Sequence, residues 1–365
     1  MKYPLETALA LYFTSEEKDV WKEISADLLA FSFTDSETNT ADSISLTLKD
    51  PAGKWAGRWK PDAGEKVKAY IKSLENGKLK ERLYCGRFYV DNLRVAGAPR
   101  IAEINAVSIP LNKPIRKKIK NKSWKKTTLK EIAETIAKDA GVSLLYDVAE
   151  KIDYEIVDQK KESDLKFLSR LCEEAGASLK LTDEKIVIYD QLSYEDKAPI
   201  KTFELGKSNI LSWSFETNQS ETYRSVQVSY RNPKLKKKGA AGGFTLRKSS
   251  RLMKKKKTKN PAVLTYTYVD PDAGEDGQEF AYKTACKSIN EAKRKARAKL
   301  RSLNRRAVTG DLNIIGDVKM CAGLVIKIKG FGAFDGNFII SEAAHIVGTS
   351  GYTTGLKLRR VSKNY

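Results

Sequence analysis

The stretch LAFSFTDSETNTADSISLTLKDP, residues 29–51, contains two runs in which apolar and polar residues alternate. The first run covers residues 29–34 and the second covers residues 43–49. Because successive side chains of a strand point to opposite faces, a period of two indicates a strand with one buried face. The polar stretch from Asp35 to Asp42 is typical of a loop, so the sequence predicts two antiparallel strands here.

The same pattern returns later in the chain at a constant offset. Residues 211–233 read LSWSFETNQSETYRSVQVSYRNP and align with residues 29–51 without a gap, and six of the 23 positions are identical. A second similarity relates Gly86–Asp91 to Gly336–Ser341, and the offset between its two copies is larger. We therefore expect one β-rich module to occur twice, and the growth of the offset predicts an insertion within the second copy.

Helical spacing appears between the two copies. Thr128 and Glu131 form a capping box before an apolar stripe, and a second stripe follows at Ser163–Ala175. Two short alternating runs come next and predict a hairpin, at residues 178–181 and 185–189.

Together these patterns predict an α+β chain that is mainly β. We expect a first module, a small α+β domain, a second module in two pieces, and an insertion that carries a basic loop and a helix. The respective bounds are residues 1–112, residues 113–200, residues 201–233 with 306–365, and residues 234–305. A repeated module suits a protein that assembles from repeated surfaces.

The formal net charge of +21 lies in two runs that contain no acidic residue. Nine Lys or Arg lie between Lys113 and Lys130, and twelve lie between Lys234 and Lys259. Such runs favour either a solvated loop that faces an assembly partner or contact with nucleic-acid phosphates. Under the second interpretation Trp124 could stack on a base. The candidate contacts to a partner or to the lumen of an assembly are Arg116, Lys117, Lys118, Lys120, Lys236, Lys237, Lys238, Lys254, Lys255, Lys256 and Lys257.

Few residues suggest catalysis or metal binding. Cys85, Cys172, Cys286 and Cys321 are far apart, and we interpret the single histidine, His345, as a strand residue. The zinc-protease, P-loop and nucleophile-elbow motifs are missing from the sequence. We therefore expect no catalytic residue, no metal and no cofactor. Acidic residues are plentiful, so a peptidoglycan hydrolase remains a third alternative.

The N-terminal residues Met1–Phe13 lack the basic flank and the apolar core of a signal peptide. No stretch of the sequence reaches the roughly 20 apolar residues of a membrane span. We expect synthesis and folding in a cytoplasm and no membrane insertion by this chain.

Several short motifs occur in order along nearly the whole chain: Ile24–Leu29, Trp55–Trp59, Cys85–Phe88, Ser163–Leu168, Leu171–Gly176, Lys329–Gly336 and Ser350–Thr354. With these motifs the chain resembles the baseplate hub proteins of contractile phage tails, the late control protein D family. That family is related to the hub half of type VI secretion spike proteins.

The resemblance implies a homotrimer whose two modules per chain are tube-like antiparallel β-barrels. Six barrels would form a pseudo-six-fold ring that joins the hexameric tail tube to a trimeric central spike. The spike is expected to be a separate protein, and the tape-measure and wedge proteins are further expected partners. The hub would assemble in the host cytoplasm and then belong to the baseplate of a phage or of a phage-tail-like bacteriocin. The alternative is a nucleic-acid-binding protein; in a hub, nucleic acid would only pass by.

Overall fold

The computed structural model describes residues 6–13, 24–38, 41–109, 114–182, 185–218, 222–231, 263–270, 277–284, 286 and 288–361. The fold is mainly β, with antiparallel sheets predominating. The chain divides into two compact units. The first consists of Met1–Glu173, Ala177–Asn218 and Arg305–Ser362, and the second consists of Glu174–Gly176, Gln219–Asn304 and Lys363–Tyr365.

The first module contains six strands. Along them apolar side chains alternate between buried and more exposed positions, as the period of two predicts. Neighbouring strands pair antiparallel in the order β1-β4-β5-β6-β3-β2. The strands are β1 (Glu6–Phe13), β2 (Leu28–Ser36), β3 (Ser43–Lys49), β4 (Lys66–Glu75), β5 (Lys78–Ala96) and β6 (Ile101–Val107).

The region after the first module is a small α+β arrangement. Its first long helix begins with the predicted capping box, because the Thr128 side chain accepts from the Glu131 backbone while the Glu131 carboxylate accepts from Thr128. The predicted hairpin is present, and its second strand also pairs with a parallel strand. The elements are α1 (Pro114–Lys117), β7 (Ile119–Thr128), α2 (Leu129–Ala140), β8 (Ser143–Asp147), β9 (Asp153–Ser163), α3 (Asp164–Ala175), β10 (Ala177–Leu181), β11 (Lys185–Asp190) and α4 (Gln191–Glu195).

The second module starts with β12 (Thr202–Glu204) and β13 (Ile210–Thr217) and is then interrupted. The interruption is the second compact unit, in which three strands form a sheet of order β15-β14-β16 beside one helix. Val226 and Val228 pack there against the apolar stripe of that helix. The elements of this insertion are β14 (Tyr223–Arg231), β15 (Val263–Val269), β16 (Gln278–Lys283) and α5 (Ile289–Asn304).

The second module then resumes with four strands. The strand order of the complete module is β12-β18-β19-β20-β17-β13, and all pairs are antiparallel except β12 with β18. The resuming strands are β17 (Val308–Ile315), β18 (Val325–Lys329), β19 (Gly336–Gly348) and β20 (Gly351–Arg360).

The two modules have the same strand order and differ in one pairing, because β1 is antiparallel to β4 whereas β12 is parallel to β18. When the strands of each are numbered in chain order, both sheets follow the order 1-4-5-6-3-2. Irregularities recur at equivalent places. β2 shifts register between Leu28 and Ala30, and β13 shifts between Ile210 and Ser212, the positions that align with them in the repeat. The duplicated module that the sequence predicts is therefore present.

One part of the predicted repeat is wrong. Residues 225–231 align in sequence with β3, but they lie in β14, which pairs with β15 and β16 instead of β13. The counterpart of β3 is β17, which pairs with both β13 and β20. An alternating pattern predicts a half-buried strand but does not predict which strand pairs with it. Here the apolar side chains of β14 are buried in the core of the insertion. The insertion therefore begins near Gln219 and not at residue 234.

Candidate assembly interface

The two modules are joined inside the chain by strand pairing. β2 of the first module runs antiparallel to β19 of the second, from Ala30 opposite Gly348 to Ser36 opposite Glu342. Phe33 on β2 is buried and stacks on His345 of β19, with 5.8 Å between the ring centroids. The core of the first module includes Val347 from the second. The junction is therefore a continuous, packed sheet.

His345 is held as a neutral side chain at this junction. Its Nε2 donates to the Met320 carbonyl at 2.8 Å, and the Tyr352 hydroxyl lies 2.8 Å from Nδ1. A carbonyl can only accept, so Nε2 carries the proton and Nδ1 accepts from Tyr352. Burial lowers the pKa of His345. The histidine is thus a strand residue with a structural environment, as we interpreted it.

A buried charge cluster, Asp35, Asp42 and Lys180, lies beside the junction. The Lys180 ammonium contacts the Asp35 carboxylate and lies 3.3 Å from that of Asp42, and the Ala322 backbone N–H donates to Asp35 at 2.8 Å. Burial raises the pKa of Asp42 to about 6 despite the opposing charge of Lys180. This cluster connects the first module, the α+β region and the second module.

A second buried cluster surrounds Arg359 on β20. Its guanidinium donates to Glu37 at 2.8 Å and to Glu195 at 2.5 Å, and Arg305 donates to Glu37 at 2.7 Å. Burial alone would raise the pKa of Glu37, but the charges of Arg359 and Arg305 hold it below its ordinary value. The two guanidinium groups and the two carboxylates therefore balance in charge, and they lie where the first module, the α+β region and the second module meet.

The sequence did not reveal these two clusters. Asp35, Glu37 and Asp42 lie in the stretch that we interpreted as a polar connecting loop, and all three are buried. The available signal was the concentration of acids between two strands. Their partners are as far as 322 positions away, as for Glu37 and Arg359, so sequence alone could not pair them.

Strand β13 has an open side. Among the described strands it pairs only with β17, whereas its counterpart β2 pairs with both β3 and β19. Trp213 on β13 is 48% exposed, and Phe31, its equivalent on β2, is fully buried. Since an edge strand with exposed aromatic side chains invites pairing, β13 is a candidate interface.

The predicted basic contacts lie in different surroundings. Lys117, the last residue of α1, and Lys118, which follows it, are exposed, whereas Arg116 is partly buried and its pKa is lowered by burial. Lys120 is engaged in an ion pair with Asp164 at 2.6 Å. The remaining predicted contacts lie outside the described residues, namely Lys236, Lys237, Lys238, Lys254, Lys255, Lys256 and Lys257.

The suggestion that Trp124 stacks on a base is wrong. Its ring is buried, lies parallel to Phe167 with 6.2 Å between centroids, and carries the Lys122 ammonium 3.5 Å from the ring centroid. The side chain packs the α+β region, so it is not free to receive a nucleotide.

The thiols are packing groups with little reactivity. Burial raises the pKa of Cys172 to about 12 and those of Cys286 and Cys321 to about 11, and it also raises the pKa of Cys85. Within the described residues, acidic, cysteine and histidine side chains form no group of three or more that could hold a metal ion. The described helices also include none that is long and apolar enough to cross a membrane.

A duplicated β module with a strand-paired junction and an open edge strand favours a structural protein that assembles with other chains. The family model described as "Phage tail baseplate hub (GPD)" matches residues 109–351. The chain therefore belongs to the phage tail baseplate hub family. It is a hub protein of a phage tail and not an enzyme.

Similar proteins agree with this assignment. A probable baseplate hub protein of Escherichia phage 186 is 26% identical over 368 residues, which covers 96% of this chain and 92% of the relative. The crystal structure of a tail protein from Neisseria meningitidis MC58 has a similar fold, with a TM-score of 0.67 at 12% identity and 97% of each chain covered. A type VI secretion component of E. coli has the fold with a TM-score of 0.55 at 15% identity, over 93% of this chain and 75% of that one.

Proposed function

We propose that three copies of this hub form a ring of six β modules that joins the six-fold tail tube to a three-fold spike. The observation that carries the proposal is the duplicated module, whose two copies share strand order and lie side by side in one sheet. Two equivalent modules per chain turn a trimer into an assembly with approximate six-fold repetition. Such a ring can present six similar surfaces to one partner and three identical ones to the other.

The buried clusters around Lys180 and Arg359 support this role. Each ties both modules and the α+β region together through buried charges. Breaking a buried ion pair is strongly destabilising, so these contacts oppose relative movement of the two modules within the first compact unit. A fixed arrangement of the two modules within each chain suits a protein that joins partners of different symmetry.

The proposal is tested by assembly with separately purified tube and spike proteins from the same particle. Mass photometry of the hub alone should show three chains, and addition of either partner should produce a larger defined complex. A hub that stays monomeric and binds neither partner would overturn the proposal. The same experiment with the tape-measure and wedge proteins identifies the further partners.

We further propose that the exposed basic residues of the two runs face these partners or the lumen of the ring. Lys117 and Lys118 are the described examples, because both side chains are exposed. The double variant Lys117→Gln/Lys118→Gln should bind one tail partner more weakly and with a smaller dependence on salt. Lys151→Gln is the control, since Lys151 is exposed and lies outside both runs. Unchanged binding to every partner would contradict contact with a partner and would leave the lumen as the surface that these residues face.

A further inference from the structure

We propose that neighbouring copies join by pairing β13 of one chain with residues 92–96 of β5 in the next. This interface repeats the β2·β19 junction that exists inside one chain. It rests on the proposed ring and specifies which surfaces close it. The occupant of the open β13 edge is thus a second copy of this chain.

The first part of the argument is the equivalence of β2 and β13. Both are the second strand of their module, and both lie at one end of the order 1-4-5-6-3-2. Phe31 pairs with Leu46, and Trp213, which aligns with Phe31 in the repeat, pairs with Leu312 of β17. β2 has a neighbour on its second side and β13 lacks one among the described strands.

The second part is the equivalence of β19 and β5. The register shift between Ile340 and Glu342 recurs at the aligned positions of the first module, between Val90 and Asn92. Two backbone hydrogen bonds recur with it. The Gly323 and Ile340 N–H groups donate to Ile340 and Leu324 respectively, and in the first module the Gly64 and Val90 N–H groups donate to Val90 and Glu65.

Beyond this shared point the two strands differ in which strands lie beside them. β19 continues from Glu342 to Gly348 with β20 on one side and β2 on the other. The matching residues 92–96 of β5 pair with β6 on one side, and their other side has no described strand beside it. Val95 is 39% exposed, whereas its equivalent His345 is fully buried. The module therefore carries an open strand at the place where the in-chain junction has a partner.

Transfer of the in-chain register gives specific contacts between copies. Ala344 opposite Thr34 becomes Arg94 opposite Glu216 of the next chain, and His345 opposite Phe33 becomes Val95 opposite Phe215. The first pair has opposite charges, and the second buries apolar surface that is exposed on a single chain. Glu216 has no ion-pair partner among the described residues, so the pairing would supply one. Directly opposed pairs of these kinds stabilise antiparallel strands.

Chemical cross-linking tests the register. In the variant Ala96→Cys/Ser214→Cys, a short bismaleimide should link two copies and give covalent dimers and then closed trimers. The matched control is Ser32→Cys/Ile346→Cys, which places the thiols at the equivalent in-chain positions. The same reagent should link these two thiols within one chain, so denaturing electrophoresis should show single chains. The natural cysteines should react slowly because burial raises their pKa values.

Charge exchange provides a second test. Glu216→Arg opposes Arg94 and should raise the midpoint concentration of assembly by about tenfold or more, since like charges directly opposite are unfavourable. Arg94 also forms an ion pair with Glu103 of β6 at 3.1 Å, so the rescue keeps that pair by reversing both charges. Adding Arg94→Glu together with Glu103→Arg to the same chain should return the midpoint to within about threefold of the wild type. Glu134→Arg, on the exposed surface of α2, is the control and should have no effect. Circular dichroism of each variant confirms folding.

The outcomes separate this inference from the proposed function. Wild-type trimers whose cysteine variant forms no link between copies, although the control links internally, would overturn the β13·β5 interface and leave the ring intact. A wild-type chain that never assembles would overturn the ring itself. Links between copies together with rescue by charge exchange would establish both.

Discussion

Arg359 is buried between two carboxylates that belong to distant parts of the chain. Replacement by Met would leave Glu37 and Glu195 without their shared partner. We expect a loss of about 3–5 kcal/mol in the free energy of unfolding, measured by urea denaturation. Lys151→Met removes an exposed ion pair with Asp153 and should change stability by less than about 1 kcal/mol. Equal effects of the two variants would contradict the importance of the buried cluster.

Asp42 gives the junction a defined dependence on pH. Because burial raises its folded-state pKa to about 6, the carboxyl is stabilising in its protonated form and is penalised once it ionises. In Asp42→Asn, the Asp35–Lys180 contact remains and the ionisation is removed. The stability of the wild type relative to this variant should therefore fall as pH rises from about 4, the ordinary pKa of an aspartate, to about 6.

Unfolding titrations of both proteins across this range give the measurement. The use of a difference matters because the lowered pKa of His345 contributes in the opposite direction, with stability lost as pH falls below its ordinary value. A constant difference between wild type and variant would show that Asp42 is not perturbed in the folded protein.

At the scale of elements, much of the fold follows from the sequence. The two offsets of the repeat correctly relate β2 to β13 and β5 to β19, because alternation and a shared Gly-x-Phe order mark equivalent strands. The capping box correctly predicts the start of α2. The assignment of β14 failed because a period of two does not name a partner strand. The sequence also did not predict the candidate interface on β13, because an open edge strand can be recognised only when all strand pairings are known.

The insertion between β13 and β17 is predicted to be dispensable for folding of the modules. The backbone N–H of Asn218 donates to the carbonyl of Ala307 at 2.8 Å, so the two points where the insertion leaves and re-enters are adjacent. In the first module only residues 37–42 separate the equivalent strands, β2 and β3. Replacement of residues 219–304 by Asn-Gly should therefore preserve a cooperative unfolding transition.

This deletion retains Arg305 and its contact with Glu37. Circular dichroism and thermal denaturation should show a β spectrum and a single transition near that of the full chain. A variant that is unfolded at room temperature would show that the insertion is needed to form the second module. If the deletion variant folds, the number of chains in its assembly shows separately whether the insertion takes part in the ring.

At the scale of the whole molecule, the central feature is a module that occurs twice, with one strand-paired junction between the two copies inside the chain. The second equivalent junction has both of its halves, β13 and residues 92–96 of β5, at open positions. A heterologous interface of this kind closes into a ring when the rotation between modules allows it. In the proposed ring, the chain would complete its sheet by pairing these two open edges with neighbouring copies.

End-on images of the purified hub by electron cryomicroscopy test this account most directly. We expect a three-fold symmetric ring with six similar β modules, in which each boundary between chains shows continuous strand pairing like that of β2 with β19. A ring with another number of modules, or chains that meet through surfaces other than β13 and β5, would contradict it.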